Sequence, residues 1–208
     1  MSIKTIVSTI YRDTLTGFTF TFEPDEDSIK IKRKKGGWEV KYLTRDAFMD
    51  SPDQWGDYSL FLVNYHRDFE VKRNNAITED DVREWYQGKE IPQQKNYWIF
   101  GLTCFSHSGV VLYLGSVTPL FDPGGWDTSH VGVVLVSKKE FADLKAAEIA
   151  AGELLSDWNK YLSGDVWGVV KETFNKDKIP EPDHESVWGI YGYQEALEEL
   201  KTFFKGGE

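Results

Sequence analysis

Strand-forming segments follow one another for most of this chain, and the two longest helical patterns arrive only after residue 137. That order excludes the regular strand–helix alternation of a doubly wound parallel sheet. It predicts an α+β fold: a mostly antiparallel sheet, with one long amphipathic helix and a C-terminal helix packed on it, helices lying on one face. The strand signals are concrete. Thr5–Tyr11 and Phe18–Phe22 alternate on either side of DTLTG and read as a hairpin. Ile29–Lys32 and Trp38–Tyr42 flank KRKKGG, where Gly36 and Gly37 supply the positive φ of a tight turn. Leu60–Tyr65, Tyr97–Cys104, Val110–Leu114, Val131–Val136, Val166–Val170 and Ser186–Tyr191 follow as further strands.

The helices carry their own start and stop signals. Thr78 followed by Glu79, Asp80 and Asp81 opens a short helix, with Val82, Trp85 and Tyr86 on one face and Gly88 at its end. Ser137-Lys-Lys-Glu140 matches a capping box. Behind it Phe141, Leu144, Ala147, Ala151, Leu155, Trp158 and Leu162 step by three or four, up to a stop at Gly164. Tyr193–Phe204 is the closing helix. The expected division is an N-terminal β-hairpin extension over residues 1–45 and an α+β core domain over residues 46–208. KDKIPEPDHE (residues 176–185) reads as a surface loop.

Composition excludes several classes. At 208 residues, with aromatics at 15%, the chain buries a real core and is not disordered. The lone Cys104 rules out an internal disulfide and a cysteine-cluster zinc site, which suits a reducing cytoplasm. No leader and no apolar run long enough to span a membrane is visible, so the expectation is a soluble, cytoplasmic protein with no membrane partner. The net charge of −10 is uneven: residues 105–208 hold 9 basic against 17 acidic groups. That half repels phosphate backbones, so direct nucleic-acid binding is not expected.

Four polar clusters fall at strand ends: Trp55-Gly-Asp57 with Tyr65-His-Arg-Asp68, Ser106-His-Ser-Gly109, Trp126-Asp-Thr-Ser-His130, and Trp188-Gly-Ile-Tyr-Gly192. His66, His107 and His130 with Asp127 are candidates for a metal site or an acid/base pair, because imidazole titrates near neutrality and a carboxylate fixes its tautomer. No helical ligand spacing is present, so no metal is expected, and no phosphate loop or other motif points to a cofactor. Neither Ser108 nor Ser129 sits on a strand–elbow–helix turn. Binding is the better-supported chemistry. Trp126 offers a stacking plane, Asp127 a fixed acceptor and Arg67 a cation. The expected ligand-binding set is therefore His66, Arg67, His107, Ser108, Trp126, Asp127 and Ser129, with Trp126 as the floor. The competing reading makes Trp126 a plug for the end of the sheet and Asp127 the acceptor of an Asx-turn.

Five segments in order resemble a known pattern: SPDQWGDYSLFLVNYHRDF, FSHSG, GGWDTSHVGVVLV, YLSGDVWGVV and SVWGIYG. They are similar to an uncharacterised family encoded by phages and plasmids, with H-R-x-Y, D-H-S-G, P-W-D-S-G-Q-V-G and W-G-F-Y-G motifs. The resemblance spans roughly residues 51–200 and departs from the pattern at Ser106 and at Thr128-Ser129-His130. It implies a mobile-element origin. Together with the acidic second half and the lack of a convincing catalytic set, the expectation is an accessory protein of the host-cell cytoplasm that binds a host protein or a small anionic, nucleotide-like ligand and counters host defence. A small His/Asp hydrolase and a structural or replication-associated homo-oligomer are the alternatives.

Overall fold

The computed structural model describes residues 9–12, 19–22, 27–55, 59–66, 69, 71, 77–116, 119–177, 179–182 and 184–202. The fold is α+β with antiparallel strand pairing, as expected, but the described residues form two four-stranded sheets and a two-stranded one rather than a single sheet. The chain forms two compact units. Unit 1 combines residues 1–49 with residues 165–208, and unit 2 is the continuous stretch Asp50–Gly164.

This division differs from the expected boundary after residue 45, and strand pairing supplies the reason. In unit 1, β3 (Asp27–Lys34) and β4 (Gly37–Arg45) form the second predicted hairpin, and Gly36 takes the turn with φ 105°. β4 then pairs along its whole length with β9 (Val166–Asn175), from Gly37↔Asn175 to Arg45↔Trp167. The N-terminal hairpin is thus half of a sheet ordered β10–β9–β4–β3, where β10 is Glu185–Tyr191. Helix α3 (Tyr193–Thr202) covers one face of that sheet, burying Ala196 and Leu200 against Leu43, Trp167 and Val169. Of the first predicted hairpin, β1 (Thr9–Arg12) and β2 (Thr19–Phe22) pair antiparallel; its remaining residues lie outside the described ones. The fourth polar cluster, Trp188–Gly192, belongs to this unit.

Unit 2 holds the sheet β5–β8–β6–β7: β5 (Leu60–Asn64), β6 (Tyr97–Ser106), β7 (Val110–Leu114) and β8 (Thr128–Ser137). β8 lies between two neighbours, and its run Val131–Val136 is buried throughout, because both faces of this sheet are covered. On one face Val134 and Val136 meet Ala147, Ala151, Leu155 and Trp158 of α2 (Leu144–Leu162). On the other, Val133 and Leu135 meet Ile77, Ile91 and Val82 of α1 (Glu79–Tyr86). The expectation of helices on one face alone fails here. Gly132 permits the tight pairing with β5, since a Cβ there would stand 1.8 Å from the Val63 carbonyl oxygen.

The predicted caps divide. At α1 the Thr78–Asp81 capping box forms in both directions. At α2 the cap is Asp143, whose carboxylate accepts from the Ala146 amide, and Phe141 lies outside the helix. Ser137 cannot start a helix because it still pairs with Tyr97 in the sheet.

Candidate functional site

The site is built around a β-bulge. In the β6–β8 ladder Leu102 faces Gly132, while the next pair is Thr103 with His130, so Val131 is an extra residue. A bulge shifts the alternation of side chains by one position. Val131 is thereby delivered to the α2 side, and His130 joins Thr103 on the α1 side.

Tyr86, the last residue of α1, fills the gap in the ladder. Its hydroxyl accepts from the Leu102 amide at 3.0 Å and donates to the Gly132 carbonyl at 2.9 Å. Burial pushes its phenol above the ordinary value, which keeps it a neutral donor–acceptor. The His130 ring lies against the Tyr86 ring at 4.9 Å, and its Nδ1 is 3.3 Å from the Thr103 hydroxyl. The helix end, the bulge and the imidazole are one constellation.

Around it opens a groove of about 920 Å³, lined by Tyr65, His66, Glu79, Arg83, Tyr86, Ser106, Trp126, Asp127, Thr128, Ser129 and His130 among others. Three segments far apart in sequence meet there: the end of β5, helix α1 and the loop leading into β8. Asn64 shapes the first of them. Its side chain accepts from the His66 amide at 2.9 Å and donates to the Phe69 carbonyl at 2.9 Å. Arg83 is drawn toward Glu79 at 3.1 Å and Asp80 at 2.9 Å, so the cation on this wall is already engaged by acids.

The loop before β8 is held by Asp122. Its buried carboxylate accepts from the Thr128 hydroxyl at 2.7 Å and from the Trp126 and Asp127 amides at 3.0 and 3.1 Å. The Thr128 hydroxyl, and then the backbone amides, hold this carboxyl below its ordinary value, outweighing the opposing effect of burial. The Asx-turn acceptor is thus Asp122 and not Asp127. Asp127 instead meets His107 Nδ1 at 3.0 Å, with both side chains open to solvent.

Of the seven residues expected in the site, His66, Trp126, Asp127 and Ser129 line the groove. His107 reaches it through Asp127. Ser108 is exposed in the β6–β7 turn and is not among the lining residues. Arg67 lies outside the described residues, as do Gly56, Asp57 and Asp68. Trp126 is 90% exposed and stands at the mouth, so it is neither floor nor plug; half-buried Tyr86 takes the inner position. Among the described residues no cluster of His, Cys, Asp and Glu could hold a metal ion.

Tyr86, Glu79 and Arg83 were not expected in the site. In the sequence Tyr86 is one more apolar position of a helix face, and only a long-range hydroxyl bond distinguishes it. His130, an acid/base candidate outside the expected ligand-binding set, gains its place in the groove from the bulge. No family model, curated protein or solved structure matches the chain.

Proposed function

We propose that this chain is a mobile-element accessory protein that acts by binding, through the groove of unit 2, a host factor or a small planar ligand, and so blunts a host defence. The observation that carries the binding reading is the convergence of His66, Tyr86, Trp126, Asp127 and His130 on one groove. The mobile-element origin is supported by the motif resemblance alone. A rim tryptophan supplies a stacking plane, and the polar groups below it fix orientation. The lining acids Glu79 and Asp127 disfavour a ligand rich in phosphates, which narrows the small-ligand version to planar, weakly charged compounds.

The His107–Asp127 pair favours a second reading, a hydrolase in which the carboxylate fixes the imidazole tautomer. The pair is open to water on both sides, whereas acid/base groups gain their strength in water-excluded sites. Binding remains the better account.

The experiment places a photo-crosslinking amino acid at groove-lining Ser116 or at exposed Ile149 on α2, inside host cells. Binding at the groove gives a discrete adduct, protein or metabolite, from position 116 and none from 149. Equal labelling at both positions, or none at 116, overturns the reading.

A further inference from the structure

We infer that the occupant of the groove is a segment of a host protein carrying apolar anchors flanked by lysine or arginine; this rests on the reading of the groove as a binding site. The starting observation lies beside the groove. Leu120, Phe121 and Trp126 are 98%, 66% and 90% exposed, three large apolar side chains on one short loop. Water is a poor environment for them, and large apolar groups gathered on one short loop are the material of an interaction surface.

Their exposure is built into the loop. The Asp122 carboxylate ties down the Trp126 and Asp127 amides, Gly125 donates to the Asp122 carbonyl, and Asp122 donates to the Pro119 carbonyl. The Phe121 ring is steadied edge-on by Phe105 at 4.8 Å. A loop fixed in advance loses little entropy on binding, which is how apolar anchors become hot spots.

Size separates a protein from a small molecule. A pocket buries most of a small ligand's surface. Here a compound seated in the groove would reach Trp126, while Leu120 and Phe121, absent from the lining, would stay wet. An aromatic side chain presents about 150–250 Å², and a standard interface needs about 800 Å² per partner. The loop alone falls short of that area, so the partner must cover the groove mouth as well.

Charge then selects the kind of protein. Residues 50–164 carry 17 acidic against 10 basic groups, and at the groove Glu79, Asp80 and Asp127 outnumber Arg83, the one lysine or arginine among its described lining residues. A second copy of this chain would set those acids against themselves. A partner with basic flanks meets them with opposite charge, raising the association rate at low salt.

The test uses the full chain and synthetic peptides with aromatic residues set among lysines, against matched peptides in which glutamate replaces each lysine. Binding is read by fluorescence anisotropy at low and high salt. The inference expects the basic set to bind about tenfold or more tightly than the acidic set, and the Phe121→Ala and Trp126→Ala variants to lose about tenfold each. Equal affinity for both sets, unchanged affinity in both variants, or sedimentation showing a dimer that Trp126→Ala dissolves would overturn it. An adduct at position 116 without discrimination among the peptides removes this inference and leaves the binding groove standing. Absence of that adduct removes both.

Discussion

At the residue scale, two aspartates five positions apart divide the work of one loop. Asp122 turns inward and gathers amides and a hydroxyl, while Asp127 turns outward to His107. The sequence shows both carboxylates in a Pro-Gly-Gly turn region, but which of them faces the amides depends on the loop's path; the competing reading gives that turn to Asp127, and it belongs to Asp122. The arrangement has a pH signature. A carboxyl held below its unfolded value stabilises the fold above that unfolded value, and the contribution fades as pH falls through the lowered folded value. Thermal melts of the wild type should therefore show a component lost on acidification below about pH 4. Asp122→Asn removes that component and melts lower at neutral pH. Identical acid profiles for the two proteins would show that Asp122 does not hold the loop.

At the element scale, the strands and helices were legible wherever a local pattern carries them. The alternation in β3 and β4, the apolar run of β8 and the Thr78–Asp81 box of α1 appear where expected. The α2 start was misread because Ser137 satisfies a cap pattern while the sheet claims it, and Asp143 does the capping. The bulge at Val131 left no local signal at all. It exists because β6 and β8 fall out of register by one residue between distant segments. Tyr86→Phe should remove the hydroxyl that satisfies the Leu102 amide and the Gly132 carbonyl, leaving both groups without that partner. The expected cost in chemical denaturation of unit 2 is about 1–3 kcal/mol. A loss under a few tenths of that would mean the ladder closes without Tyr86. A related long-range bond lies on the far side of the same sheet. Asn159 of α2 accepts from the Leu112 amide and donates to its carbonyl, at 2.8 and 2.9 Å, and so occupies the open edge of β7.

At the scale of the whole molecule, the fold class was readable because it follows from the order of elements. The architecture was not, because the pairing of β4 with β9 joins residues more than a hundred positions apart. For the same reason the polar clusters could be found but not sorted: three fall in unit 2, and the Trp188 cluster belongs to unit 1. Among the described residues no helix is long and apolar enough to cross a membrane. The proposed binding role rests on the first and third clusters meeting α1 at one groove, where the bulge turns His130 toward Tyr86 instead of toward α2. The most direct test is a set of through-space proton contacts from the His130 ring, measured by NMR on the full chain. The account predicts contacts with the Tyr86 ring, whose centroid lies 4.9 Å away. Contacts from His130 to Trp158 or Leu155 of the α2 core, with none to Tyr86, would mean the ladder runs without a bulge and the groove does not form.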